Sequence, residues 1–259
     1  MNIATYRNNS GGANYNAFQA KVEQRFNHSM YLLFSYTHSK LIDDASSVFS
    51  TTVLSSPNSS SLIAADTYRP RLERDLSSGD MPNVMSIGGI YELPAGRGHK
   101  FASSGLADKL MGGWALNSIL LLQSGMPVTV TQATNFNAFA GFTIQRPTIV
   151  GDPTLPSDQR TTARYFNTSA FATTPQFAIG TASRNPVRGP AYRNLDLALV
   201  KHTKLSERTS LEFRAEVFDL TNTPALAQPN GSFGSPAFGS INSTTADPRV
   251  VQFALRLSR

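Results

Sequence analysis

The sequence predicts an all-β fold of antiparallel, up-and-down strands, and three observations predict it. Seven segments alternate apolar and polar side chains with a period of two, the pattern of a strand whose two faces meet different surroundings. Several of these segments run to about ten residues or more, longer than the mean strand of soluble proteins. Their connections alternate between short or moderate turns and long, polar loops.

In chain order, residues 14–26 place Phe18, Ala20, Val22 and Phe26 on one parity against Gln19, Lys21, Glu23 and Arg25 on the other. Asn27-His28-Ser29 reads as a turn into a strand over 28–40, with Met30, Leu32, Phe34 and Tyr36 opposite Ser35, Thr37 and Ser39. A loop over 41–82 follows, rich in Ser, Asp, Asn and Pro and most biased at Ser55-Ser56-Pro57-Asn58-Ser59-Ser60-Ser61. The third strand, 83–93, aligns Met85, Ile87, Tyr91 and Leu93, and its Gly88-Gly89 pair suggests a bulge or a thin spot. Pro94 to Lys100 reads as a turn. Residues 114–130 form a fourth strand or strand pair, although the run Ile119-Leu120-Leu121-Leu122 loses alternation and leaves a helix open as an alternative.

A second long loop covers 131–190. The clearest hairpin follows, with strands at 194–204 and 211–221 around the polar turn Ser206-Glu207-Arg208-Thr209. Its second arm sets Leu211, Phe213, Ala215 and Val217 against Glu212, Arg214 and Glu216, a separation that a helix would scramble. A third loop spans 222–248, and the last strand, 249–258, alternates Val251, Phe253, Leu255 and Leu257 with Gln252, Ala254, Arg256 and Ser258.

The connections carry the reading from strands to surroundings. Long loops after the second, fourth and sixth strands, with shorter turns after the first, third and fifth, match a membrane β-barrel, whose two rims face different compartments. A soluble sandwich, the competing fold, has no need of that asymmetry. Seven strands that start at the long-loop rim cannot close by themselves, and open edges are not tolerated in hydrocarbon. The expected fold is therefore part of a larger transmembrane barrel, with further strands outside this chain. On this reading Phe213, Val217, Phe253, Leu255 and Leu257 face lipid, Glu212, Arg214 and Glu216 face the lumen, and Tyr15, Tyr36, Tyr91 and Trp114 contribute to aromatic girdles.

Composition narrows the function. The chain of 259 residues carries 23 Lys and Arg against 17 Asp and Glu, a net charge of +6, but the basic residues are scattered and form no tract that would follow phosphates, so no nucleic-acid partner is expected. It has no cysteine, which excludes disulfides, thiolate metal sites and a thiol nucleophile. No apolar run is long enough for a membrane-spanning helix, and residues 1–10 lack the apolar core of a secretory signal. His28, His38, His99 and His202 are too far apart in sequence for a zinc motif. Gly96-Arg97-Gly98-His99-Lys100 lacks Walker spacing, and Ser124 is not in a nucleophile elbow. Asp43-Asp44 reads as a capped turn in preference to a cation site. No catalytic residue, metal or cofactor is expected, and the chain is read as not an enzyme.

An ordered set of motifs adds to this. Tyr15-Asn16-Ala17-Phe18, Ser35-Tyr36-Thr37-His38-Ser39-Lys40, Tyr91-Glu92-Leu93-Pro94, Gly112-Gly113-Trp114 and Gln123-Ser124-Gly125-Met126-Pro127 come first. Phe166-Asn167-Thr168-Ser169-Ala170-Phe171, Gly189-Pro190, Arg193 to Leu199, Leu205 to Arg208 and Phe213 to Asn222 follow. In this order they resemble the C-terminal part of the barrel of Oar-like TonB-dependent outer-membrane receptors of the carboxypeptidase-regulatory-like family. The resemblance covers nearly the whole chain. It implies a barrel of about 22 strands with a plugged lumen, of which this chain holds roughly the last third. It also implies that a signal peptide, an N-terminal regulatory-like domain, the plug and the TonB box lie outside this sequence. Arg259 departs from the aromatic residue that typically ends outer-membrane strands. The partners implied are outer-membrane lipid, the rest of the barrel and its plug, TonB through the N-terminal part, and an extracellular ligand. Two alternatives stay open: a surface adhesion barrel without transport, and a soluble β-sandwich binding module.

Overall fold

The computed structural model describes residues 11–26, 29–45, 69–96, 101, 104–137 and 144–259. The expectations for Asn27-His28, for the Ser55–Ser61 tract and for Arg97 to Lys100 concern residues outside these. Seven long strands dominate: β1 (Ala13–Phe26), β2 (Met30–Asp43), β3 (Asn83–Glu92), β4 (Trp114–Gln123), β5 (Tyr192–Lys204), β6 (Ser210–Phe218) and β7 (Val250–Ser258). Each pairs antiparallel with its sequence neighbour, giving the order β1 to β7 in one open sheet whose edges are β1 and β7. A two-residue strand, Asp75–Leu76, extends the sheet beside the end of β2.

Register is what turns seven separate alternations into two surfaces. Phe26, Met30, Tyr91, Leu116, Leu199, Ala215 and Phe253 stand side by side across all seven strands. The neighbouring row, on the opposite face, is Arg25, Tyr31, Ile90, Asn117, Ala198, Glu216 and Gln252. A slip of one residue in any pair would carry a row of Leu and Phe onto the charged face, so the two-sided pattern itself specifies the pairing. Ladder pairing runs through Gly88 and Gly89 without a bulge, and Ile119 to Leu122 is strand, with Leu120 and Leu122 on the apolar face.

That apolar face is open. Phe253, Leu255 and Leu257 are 72, 69 and 66% exposed, and Phe18, Val22 and Leu116 are exposed as well. Among the described residues, the buried apolar side chains other than Val200 lie in the connections between the seven strands. Among the described residues, then, no second layer seals the sheet as a sandwich requires.

Three readings of the sequence are corrected. β4 ends at Gln123, and residues 124–130 belong to the following connection, because Pro127–Val128 pairs with Val187–Arg188 and not with the large sheet. β6 ends at Phe218, where Asp219 and Asn222 adopt left-handed φ values of 49° and 51°. Tyr15 shares its face with Lys21 and Glu23, not with Tyr36, Tyr91 and Trp114, so it is not part of the same aromatic row. The connection from β3 to β4 also contains a helix that the sequence reading missed, α1 (Gly105–Met111).

Candidate functional site

The strands place two sets of polar groups where a solute could meet them: a charged row on one face of the sheet and a folded cap at one end. In the row, Arg214 sits between two carboxylates. Its Nε donates to Glu212 Oε1 at 2.6 Å, and Nη1 lies 3.6 Å from Glu216 Oε1. Across the ladder, His202 Nδ1 lies 3.5 Å from Glu212, and Gln252 Nε2 donates to Glu216. At the far edge Lys21 and Tyr31 both reach Glu23, at 3.3 and 3.0 Å, and Arg25 covers the Tyr31 ring. Residues two apart on a strand share a face, so Arg214 is flanked by both carboxylates along β6, and Arg256, opposite Glu212 on β7, balances the remaining negative charge. The face is polar and nearly balanced, which suits a wet wall.

The cap is built from connections that the sequence presented as loops. Residues 69–82, 124–137, 144–191 and 219–249 all lie in connections that leave the same end of the sheet, because β2, β4 and β6 all run toward it. Val128, Val130, Phe166, Ala170, Phe171 and Val187 form a buried cluster, with Ile149, Phe233 and Phe238 packed against it. Phe166, Phe171 and Phe238 meet edge to face at centroid distances of 5.1 to 5.9 Å. Three two-residue ladders stitch the backbone: Val187–Arg188 with Pro127–Val128, Ser232–Phe233 with Thr131–Gln132, and Thr148–Ile149 with Phe171–Ala172.

Two of the recognised motifs meet here. Gly189 N donates to Met126 O at 2.9 Å, and a Cβ on Gly125 would lie only 1.9 Å from Gly189 O, so position 125 has room for no side chain. The Phe166 to Phe171 motif supplies two core rings, while Asn167 between them donates to Asp152 O and accepts from the Ser169 hydroxyl. At the end of β6, Asp219 N donates to Asp196 Oδ1, and Asp219 Oδ1 accepts from Thr221 and from Thr223 N. That network explains the run Asp219-Leu220-Thr221-Asn222 as a strand terminator.

Three arginine–carboxylate pairs fix the cap to the end of β2 and the segment after it. Arg146 reaches Glu73, Arg184 reaches Asp43, and Arg188 reaches Asp80. The first two pairs are almost wholly buried on both sides, and the Asp80 side chain is 1% exposed. Burial holds the Arg146 guanidinium below its ordinary pKa, and the Glu73 carboxylate opposes that shift. Asp44 instead accepts from Gly12 N and Arg74. Asp43 and Asp44 are thus turned toward cations of the protein itself. A buried amide cluster completes the cap: Gln132 Nε2 donates to Gln145 Oε1 at 3.1 Å, and Thr174 N donates to Gln132 Oε1 at 2.7 Å.

A cleft of about 360 Å³ opens between these parts, lined by Leu76, Leu155, Arg160, Tyr165, Phe166, Asn185 and Arg188 among others. Arg160 lies over the Tyr165 ring at 5.6 Å while its Nε donates to Leu155 O. Aromatic, amide and guanidinium groups line one concave wall. Among the described residues, no group of three His, Asp or Glu is arranged to hold a metal ion. Sequence reasoning missed the cleft because its lining comes from segments more than a hundred residues apart.

An antiparallel sheet with one continuous apolar face in the open, a self-neutralising charged face and long connections gathered at one end defines the class of outer-membrane barrel walls. The chain belongs to the outer membrane β-barrel domain family, whose model matches residues 1–252. It is an outer-membrane protein. No curated protein and no solved structure matches it.

Proposed function

We propose that this chain is the C-terminal wall and external-loop part of an Oar-like, TonB-dependent receptor that imports a ligand across the outer membrane. Phe213, Val217, Phe253, Leu255 and Leu257 meet acyl chains, and Glu212, Arg214 and Glu216 line the lumen. The strands that complete the cylinder pair with the open edges β1 and β7. The observation that carries this reading is the one-sided cap: the described parts of the connections after β2, β4 and β6 gather at one end, with a cleft between them of the size of a small-molecule site. Capture by the cap followed by movement of a plug supplied by the rest of the protein is the mechanism in keeping with that layout. The test is uptake by cells with and without TonB, comparing the full-length protein with a form lacking residues 144–191. Loss of uptake in both controls supports import. A cap deletion that abolishes surface binding while TonB makes no difference favours the adhesion reading, which the cap's own hydrophobic core also supports.

A further inference from the structure

The connection from β3 to β4 leaves the opposite end of the sheet from the cap and carries α1 in an unusual orientation. Every large apolar side chain of the helix faces outward: Leu106, Leu110 and Met111 are 78, 66 and 57% exposed. Phe101, just before it, is exposed too. On a helical wheel Leu106, Ala107, Leu110 and Met111 fall within one arc, with Asp108 and Lys109 opposite. Asp108 is the half-buried member, its carboxylate set against the backbone of Gly96 and Gly112. A water-exposed helix would be turned the other way round.

The helix is held in that pose. Trp114 Nε1 and Lys201 Nζ both donate to Leu110 O at 2.9 Å, and Lys201 also donates to Gly112 O at 2.9 Å. Lys201 lies 4.9 Å from the Trp114 ring centroid. Trp114, Lys201 and Phe213 belong to the apolar face of the sheet, and Trp114 meets Phe213 edge to face, which stacks in turn on Phe253. The backbone of α1 is therefore tied to the rim of the apolar face, where an indole and an ammonium end it, with its apolar side chains turned outward.

We infer that α1, with Phe101, is an interfacial anchor that lies in the headgroup–acyl boundary of the phospholipid leaflet at the periplasmic rim. Leu106, Leu110 and Met111 reach the acyl chains and Lys109 meets the phosphates. The inference rests on the apolar face of the sheet meeting lipid. An amphipathic helix of this kind buries its apolar side by about 5–10 Å, which would pin the rim of the wall at a fixed depth.

The test uses the full-length protein, reconstituted in phosphatidylethanolamine and phosphatidylglycerol vesicles, with single cysteines in a cysteine-free background carrying a bimane label. The positions are Leu106→Cys, Leu110→Cys, Lys109→Cys and, on the sheet, Phe253→Cys. Brominated lipid should quench positions 106 and 110 by about half, with Lys109 open to aqueous iodide, as a shallow interfacial depth requires. Iodide quenching at 106 and 110 while 253 responds to brominated lipid overturns the anchor and leaves the barrel standing. Shielding of 106 and 110 from both quenchers, with 253 still in lipid, points to a protein partner and also overturns it. If 253 does not respond to brominated lipid, the barrel reading fails and the anchor fails with it.

Discussion

Replacing Arg188 by alanine tests whether the cap is a separate cooperative unit clipped to the wall. Arg188 gives Nη2 to Asp80 Oδ2 and Nη1 to Asp80 O and Gly125 O, the last two at 3.2 Å. Asp80 also accepts from Leu41 N of β2 at 2.6 Å. Removing the guanidinium leaves a carboxylate that is 1% exposed with that amide as its remaining hydrogen bond in the pair's geometry. Breaking one side of a buried pair costs about 3–5 kcal/mol, and because the Arg188 side chain is itself partly solvated the low end applies. About 3 kcal/mol corresponds to a roughly hundredfold larger open population. Hydrogen exchange in lipid nanodiscs reads it directly. The cap amides of Val130, Ala182 and Gly189, bonded to Arg184 O, Pro147 O and Met126 O, should exchange about a hundred times faster. Ladder amides between β5 and β6 should not change. Adding Asp80→Asn neutralises the stranded charge and should recover at least about fivefold, since a neutral amide is cheaper to leave buried. A change below about threefold in the cap, or equal acceleration in the ladder, would refute the reasoning.

Three further perturbations probe other parts. Gly125→Ala puts a methyl group against Gly189 O and should loosen the root of the cap by about 1–3 kcal/mol or more, seen as faster proteolysis within 144–191. Phe166→Ala empties the centre of the aromatic cluster and should cost about 3–5 kcal/mol of cap stability, with β-sheet content unchanged by circular dichroism. Phe253→Arg should cost about 2–4 kcal/mol in refolding titrations into bilayers, whereas Ala254→Arg, one position along on the charged face, should cost less than about 1 kcal/mol. Equal costs at 253 and 254 would mean that the two faces are not differently solvated.

The wall was readable and the cap was not, for a physical reason. A strand between two media repeats its contrast at every second residue, so Leu211 to Val217 and Val251 to Leu257 announce both their conformation and their faces. The cap residues Val128, Phe166, Phe171, Val187 and Phe238 share no period, because they hang on irregular backbone rich in Pro, Gly and Thr. Its fixings join residues far apart in sequence, such as Asp80 with Arg188 and Glu73 with Arg146, and one sequence does not show which arginine finds which carboxylate. Motif order pointed to the right places without saying why, and the meeting of Gly125 with Gly189 supplies the cause. α1 left a faint signal in the i, i+4 pairs Leu106–Leu110 and Ala107–Met111, but seven residues after a glycine-rich turn are too short for periodicity to stand out. Tyr15 falls on the odd parity of its strand with Lys21 and Glu23, so the alternation itself places its ring on the charged face, away from the other three aromatics.

The central claim is that the apolar rows of this sheet face acyl chains, and β7 offers the most direct test of it. Labels placed singly at each position from 250 to 257 in the membrane-embedded protein should respond to a bilayer-borne quencher at 251, 253, 255 and 257 and to a water-borne one at 250, 252, 254 and 256. A pattern without that period of two, or odd positions sealed from lipid by other protein, would contradict the account.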